Sequence, residues 1–100
     1  MPKVILTITY EIHPEKREGY LELVNEMKEH FIGSLQKNYS VYELMGKKNT
    51  FAEIYLCDSI EEYEALEDNQ DDKAQELIAR LFDEFVKSGK AKYVTLVEST

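Results

Sequence analysis

The stretch from Phe51 to Val86 constrains the fold most, because the period of its hydrophobic pattern changes along it. Residues 51–58 alternate between the two faces of a β-strand, whereas the apolar residues after Ser59 recur at helical spacing. Ser59 followed three residues later by Glu62 is a capping box, in which hydroxyl and carboxylate bind the first free N–H groups of a helix. The sequence therefore predicts a strand that leads directly into a helix.

The helical part of this stretch is predicted to be interrupted. Residues 67–73 contain no apolar residue, so we expect a short helix carrying Tyr63 and Leu66, a break, and a second, longer helix. Gly89 suits the left-handed end of that second helix. Its apolar stripe consists of Ala74, Leu77, Ile78, Leu81, Phe82, Phe85 and Val86.

The first third of the chain predicts a strand and a helix. Residues 3–12 alternate with one wholly apolar face, and His13-Pro14 ends the strand, since the residue before proline is held extended. An amphipathic helix runs from Glu15 to Gly33, a natural helix stop. Its apolar stripe consists of Tyr20, Leu23, Val24, Met27 and Phe31.

A hairpin and a final strand complete the pattern. Residues 40–46 form the first strand of the hairpin, which pairs with the strand at Phe51, and residues 92–98 form the last strand. The order strand, helix, strand, strand, helix, strand predicts a single α+β domain over residues 1–100 with the ferredoxin-like βαββαβ arrangement. Right-handed crossovers place both helices on one face of a four-stranded antiparallel sheet, with the first and third strands central.

The second face of this sheet predicts a partner subunit. Every predicted strand carries apolar or aromatic residues on both faces, yet two helices cover one face only. We expect Phe51, Tyr55, Cys57 and Ile5 to lie on the uncovered face. An exposed apolar patch of that size marks an interface. A homodimer with its two sheets packed face to face would bury the patch and form an α/β barrel.

Charge and composition exclude several partner classes. The net charge is −8, and residues 58–72 hold eight acidic side chains without one Lys or Arg. Because nucleic acids and anionic membranes require a basic surface, we expect neither as a partner. The sequence has no apolar run long enough to span a membrane, no secretory signal and a single cysteine, Cys57. We therefore expect a cytoplasmic protein.

Two segments resemble those of a known family. The opening strand leads through residues 13–16 (His-Pro-Glu-Lys) into a helix, and the third strand leads into residues 58–63 (Asp-Ser-Ile-Glu-Glu-Tyr). In this pattern, over nearly its whole length, the chain resembles the antibiotic biosynthesis monooxygenase-like group of the dimeric α/β-barrel proteins. The resemblance implies a pocket between sheet and helices in each subunit. The group includes cofactor-free oxygenases of polyketide-type and quinol substrates, haem-degrading enzymes and proteins with no assigned reaction.

The resemblance does not extend to the haem-degrading members. Those members use an Asn on the first strand and a Trp and a His on the second helix. The corresponding positions here fall near Ile8, Leu66 and Glu76, and the chain contains no Trp. We therefore expect neither haem nor another cofactor.

Candidate pocket residues follow from the predicted faces. Tyr10 and Tyr63 should point into the space between sheet and helices, near Met27, Phe31 and Leu66. A phenol there can orient a substrate oxygen or carry a proton. The alternative is that these side chains only pack in the core, with their hydroxyls bound to backbone or water. The sequence identifies no catalytic residue.

No motif points to a metal ion or to a reactive nucleophile. Neither His13 nor His30 has a second ligand at zinc spacing. The acidic run fails the calcium-loop pattern, with Lys73 where the turn needs Gly and Ala79 where a bidentate Glu belongs. Cys57 is followed by acidic residues, which oppose a thiolate, so we expect an inert thiol.

Two functions follow from the sequence. The first is a homodimer that binds or oxidises a small aromatic or quinone-like molecule without a cofactor. The alternative is a non-catalytic dimerisation or ligand-sensing module whose interior is packed. The two differ in whether the tyrosines face an open cavity.

Overall fold

The computed structural model describes residues 2–66, 68 and 70–100. Its strands are β1 (Val4–Glu11), β2 (Asn38–Glu43), β3 (Thr50–Cys57) and β4 (Lys92–Val97), and its α-helices are α1 (Arg17–Lys28), α2 (Ile60–Glu64) and α3 (Asp72–Arg80). The strands form one antiparallel sheet in the order β2-β3-β1-β4, so the first and third strands are central. The predicted ferredoxin-like α+β fold is confirmed.

The first helix begins at the predicted proline. Pro14 opens a 3₁₀ turn, Pro14–Lys16, which leads directly into α1, because proline has no N–H to leave unpaired. A π-helical turn, Glu29–Ser34, continues α1 and buries Phe31. The other four residues of the predicted apolar stripe, Tyr20, Leu23, Val24 and Met27, are also buried. One continuous apolar face therefore covers the sheet from residue 20 to residue 31.

The predicted capping box starts α2. Ser59 Oγ accepts a hydrogen bond from the Glu62 N–H at 3.1 Å, and Glu62 Oε2 accepts one from the Asp58 N–H at 3.3 Å. The carboxylate and the hydroxyl thus satisfy backbone donors that the helix cannot satisfy itself.

The start of α3 differs from the prediction by two residues. Asp71 Oδ1 accepts a hydrogen bond from the Ala74 N–H at 2.8 Å, which lets the helix begin at Asp72, inside the predicted break. Within that break, Glu67 and Asn69 lie outside the described residues. A π-helical turn, Leu81–Phe85, extends α3, and both of its end residues are buried.

The expectation for the uncovered face was wrong for three of its four residues. Phe51, Tyr55 and Cys57 lie on the helix-covered face, exposed by only 4%, 8% and 1%. Ile5 is on the opposite face, as expected, because it pairs with Leu56 rather than with a residue of the Phe51 face. Both faces of β3 are apolar, so alternation alone could not orient the strand. The face with the larger aromatic side chains removes more apolar area from water when the helices cover it.

The face away from the helices is called the open face below. The register places its residues opposite one another: Ile5 and Thr7 on β1, Ala52, Ile54 and Leu56 on β3, Val94 and Leu96 on β4, and Tyr42 on β2. No described helix covers these side chains. All six residues of β4 are exposed, and Leu96 retains 52% of its surface.

Candidate functional site

A cavity of about 160 Å³ lies between the helix-covered face of the sheet and α3. Eight of its eleven lining side chains are apolar or aromatic and three are polar. The apolar and aromatic ones are Leu6, Ile8, Tyr55, Leu66, Ile78, Leu81, Phe82 and Tyr93, and the polar ones are Lys37, Glu53 and Gln70. An apolar wall with a few convergent polar groups is the usual composition of a small-molecule site.

Glu53 is the carboxyl group of this cavity. It sits in the middle of β3, between Ile8 of β1 and Val41 of β2, and only 3% of it is exposed. Its Oε1 accepts a hydrogen bond from the Tyr39 hydroxyl at 2.7 Å. Burial raises the pKa of Glu53 above its usual value, and the hydroxyls of Tyr39 and Tyr10 oppose that rise in pKa by hydrogen bonding. A carboxyl group in such a site accepts a proton more readily than an exposed one.

A group of buried tyrosines extends from this carboxyl group into the core. The hydroxyls of Tyr10 and Tyr20 are 2.8 Å apart. Burial raises the pKa of Tyr10, Tyr20 and Tyr39, and the charge of Glu53 raises the pKa of each further. These phenols are therefore neutral at physiological pH, and the Tyr39 hydroxyl acts as a hydrogen-bond donor toward Glu53 rather than as a base.

Lys37 supplies the cation of the cavity. Its Nζ donates a hydrogen bond to the Leu66 carbonyl at 3.3 Å and lies 6.0 Å and 5.9 Å from the ring centres of Phe31 and Tyr55. Burial lowers the pKa of Lys37, and the charge of Asp71 partly offsets that lowering. A cation held between two aromatic faces keeps part of its charge stabilisation without water.

A second cavity, of about 240 Å³, adjoins the first. The two share Lys37, Tyr55 and Leu66, and the second also contains Cys57 and Glu62. Burial, together with the charge of Glu62, raises the pKa of the Cys57 thiol to about 11. The thiol is therefore protonated near neutral pH and is a weak nucleophile.

The five predicted pocket residues fall into two groups. Leu66 lines both cavities, and Tyr63 lines a third, of about 160 Å³, that also includes Leu6 and Leu66. The Tyr63 hydroxyl lies 3.1 Å from Thr95 Oγ1. Tyr10, Met27 and Phe31 are packed in the closed core, exposed by 3%, 0% and 1%. The structure therefore brings Leu66 and Tyr63 to the cavities and the other three to the layer behind them.

Sequence reasoning missed Glu53 and Lys37. The signal for Glu53 was present, since it is the one acidic residue on the face that also carries Phe51, Tyr55 and Cys57. That face was predicted to lie on the side of the sheet without helices, where a carboxylate can be solvated and gives no sign of a special role. Lys37 lies between the predicted first helix and the predicted hairpin, and it carried no signal of its own.

The described residues hold no group of three His, Cys, Asp or Glu side chains arranged to bind a metal ion. His30 instead contacts the α3 cap, with Nε2 at 2.8 Å from Asp71 Oδ1. Among the described residues, no helix combines the length and the apolar character needed to cross a membrane.

Comparison with known proteins identifies the fold. No protein-family model matches the chain, and no curated protein matches it in sequence. Solved structures do match over nearly the whole length. An uncharacterised NIPSNAP domain protein from Burkholderia xenovorans is 16% identical with a TM-score of 0.75, and 97% of this chain and 95% of that chain are covered.

Two oxygenase structures match equally completely. An antibiotic biosynthesis monooxygenase is 17% identical with a TM-score of 0.70, over 100% of this chain and 98% of that one. A mutant of SnoaB, a cofactor-independent oxygenase from Streptomyces nogalater, is 8% identical with a TM-score of 0.72, over 98% and 94%. The chain has the ferredoxin-like fold of antibiotic biosynthesis monooxygenase-like proteins. At these identities the likeness extends to the fold alone, so the chemistry has to be argued from the site.

Proposed function

We propose that this protein binds a small aromatic or quinone-like molecule in the cavity beneath the sheet and oxidises it without a cofactor. The observation that carries the proposal is Glu53, a buried carboxyl group at an otherwise mostly apolar cavity. A cavity of about 150 Å³ accommodates one benzene ring, and this one measures about 160 Å³. Its size therefore fits one aromatic ring.

Glu53 supplies the chemistry that such a ligand needs. A phenol or quinol is a weak acid, and a base whose pKa is raised toward that of the phenol transfers the proton more efficiently. The resulting phenolate gives up electrons more easily than the neutral phenol. Oxidation of a quinol by oxygen then yields the quinone and hydrogen peroxide, with both electrons and both protons passing to oxygen.

The open face supports a homodimer. The accessible surface of the chain is 6519 Å², against about 5,900 Å² expected for a compact monomer of this size. Apolar side chains such as Val94 and Leu96 contribute to this surface, at 38% and 52% exposure. A second copy packed sheet to sheet would cover the open face, including these residues of the edge strand β4.

Thermal unfolding with and without a one-ring quinol tests the binding proposal. A ligand at about one hundred times its dissociation constant adds about 2.7 kcal/mol to the free energy of unfolding. Ile78→Trp should fill the cavity and abolish this stabilisation. Ile32→Trp, at a 43% exposed position on the helix side, should retain it. Equal stabilisation of both variants would contradict binding in this cavity.

Oxygen uptake separates the two functions that follow from the sequence. The proposed oxidation requires uptake with the quinol, and Glu53→Gln should slow the uptake while the ligand still binds. The packing of Tyr10, Met27 and Phe31 favours the alternative, a non-catalytic ligand-sensing or dimerisation module. Binding without oxygen uptake would support ligand sensing, and no binding at all would support the packed module.

Light scattering tests the dimer. We expect a dimer mass at micromolar concentration, and Leu96→Asp should reduce it to the monomer mass, because a carboxylate would be buried in the interface. Ile32→Asp introduces the same charge on the helix side and should leave the mass unchanged. A monomer mass for the unmodified chain would rule the dimer out.

A further inference from the structure

Two ionisable side chains of opposite sign line the same cavity from different positions. Glu53 lies opposite Val41 of β2, and Lys37 precedes Val41 by four residues. Four residues of extended chain span about 13 Å, so the backbones of the two residues lie well apart along the wall of the cavity. The Lys37 nitrogen and the Glu53 carboxyl oxygens are more than 4.0 Å apart, so the two side chains form no ion pair with each other. A ligand in the cavity therefore lies between an acid and a cation.

Each of the two groups has hydrogen-bonding capacity left for a ligand. Lys37 has three N–H donors, of which the Leu66 carbonyl takes one. Glu53 Oε1 accepts from Tyr39, and a carboxylate has about four acceptor positions. A purely apolar ring would bury both groups further without a partner, which is unfavourable. Polar atoms at two ends of the ligand are therefore required.

The surface around the cavity opposes an anionic ligand. Leu66 and Gln70 line the cavity, and the chain around them carries Glu62, Glu64, Asp68, Asp71 and Asp72. A negative surface repels anions and has no such effect on neutral molecules. Among the described lining residues, the one cation is Lys37. The charge distribution favours a ligand that arrives neutral and becomes negative only inside.

We infer that the ligand is a one-ring molecule whose hydroxyl group is conjugated through the ring with a second oxygen, and that it is ionised in place between Glu53 and Lys37. The inference rests on the proposed function of the same cavity. The ligand's O–H bond breaks and the proton passes to the Glu53 carboxylate. The electron pair left on that oxygen delocalises through the ring to the second oxygen, beside the Lys37 ammonium. Charge is conserved, and no other reactant is needed.

This inference gives Lys37 a role that the binding proposal alone does not. An ammonium group beside the second oxygen stabilises the anion more than the neutral ligand. Lys37 thus selects hydroxy-carbonyl aromatics, such as hydroxyquinones, over simple phenols. Among the described residues, no carboxylate lies within 4.0 Å of the partly buried Lys37 nitrogen. The ligand anion would supply that partner.

The acidity of bound 4-nitrophenol tests the inference. Its hydroxyl is conjugated with the nitro oxygens, and its anion absorbs visible light whereas the neutral form does not. We expect binding to the unmodified protein to raise its acid dissociation constant by about tenfold or more, one pKa unit. Lys37→Met should remove that gain and Lys37→Arg should retain it. Lys28→Met, at an exposed site on α1, should have no effect.

Controls keep the inference separate from the proposed function. 4-Nitroanisole has the same ring and no acidic proton, so it should bind both the unmodified protein and Lys37→Met and reports binding without ionisation. Circular dichroism checks that Lys37→Met is folded, and Lys37→Gln replaces it if it is not. If 4-nitroanisole binds and Lys37→Met leaves the acidity of bound 4-nitrophenol unchanged, the inference fails and the binding proposal stands. If neither compound binds, both fail.

Discussion

On the helix-covered face of the sheet, the region beneath α1 and the region beside β4 are packed very differently. On the α1 side, Leu23, Met27 and Phe31 are exposed by 1% or less, and the rings of Phe31 and Tyr39 meet edge to face at 5.0 Å. On the β4 side, every strand residue is exposed and the cavity opens between Tyr93 and α3. The same sheet therefore carries a closely packed core at one end and a cavity at the other.

The difference teaches how a chain of 100 residues combines stability with an internal cavity. A small domain buries a limited fraction of its surface, so a cavity removes contacts that it needs. Here the aromatic contacts are concentrated beside α1, where Tyr20 packs against Phe51 at 4.5 Å between ring centres. The cavity lies beside these contacts, and its wall includes Leu6, Ile8 and Phe82, which are only partly buried.

The largest expected effect is on the free energy of unfolding. Leu23→Ala should reduce it by about 2–5 kcal/mol, because it leaves a void in a fully buried site. Leu96→Ala removes the same atoms from a half-exposed position on β4 and should cost less than about 1 kcal/mol in the monomer. Urea unfolding of both variants at low protein concentration measures the contrast. Equal losses would mean that the two sides do not differ in packing.

The second effect is a pH dependence that originates at the cavity. The pKa of Glu53 is raised in the folded state by burial, so its contribution to stability is full below the unfolded pKa and is lost as pH rises through the folded value. Glu53→Gln removes this loss. It should therefore be more stable than the unmodified chain above that range, by about 1–3 kcal/mol, the usual cost of imperfectly compensated burial.

Urea unfolding between pH 4 and pH 9, a range set by the usual glutamate pKa of about 4.3, measures this difference. Glu64→Gln makes the same change at an exposed site of α2 and should show no such rise with pH. A difference between Glu53→Gln and the unmodified chain that is constant with pH would assign the effect to packing instead of titration.

The smallest effect is expected at Tyr63. Its hydroxyl lies 3.1 Å from Thr95 Oγ1 in an exposed pair, so Tyr63→Phe should change the free energy of unfolding by less than about 1 kcal/mol. Ligand-induced stabilisation should weaken if the hydroxyl also contacts the ligand. Thermal unfolding with and without the quinol measures both quantities. An unfolded or monomeric Tyr63→Phe protein would show that this residue belongs to the core side of the comparison.

The fold was largely predictable because its signals are local. Periods of two and of 3.6 residues, the capping box at Ser59 and Pro14 at the start of the first helical turn each depend on neighbouring residues only. The orientation of β3 was not predictable in this way, because Ile54 and Leu56 on one face are as apolar as Phe51 and Tyr55 on the other. The choice depends on which face meets the helices, which is a property of the whole domain.

The candidate site was less predictable than the fold. Of the five residues expected at a pocket, Leu66 and Tyr63 lie at cavities. The short helix was correctly placed at Tyr63, but it ends at Glu64, two residues before Leu66. Glu53 and Lys37 come together from separate segments, and only the three-dimensional packing buries the carboxyl group and holds the amine over two rings. A single acidic residue in a strand has no sequence pattern that separates a buried acid from a solvated one.

The position of β1 has a consequence for how the chain folds during synthesis. This central strand pairs on one side with β3 and on the other with β4, so that Val4 faces both Cys57 and Val97. Both partners are translated later than β1. Its apolar residues stay without their final neighbours while the intervening chain is made, and such long-range pairing folds slowly. The apolar strand β1 is therefore open to aggregation until β3 and β4 have both been made.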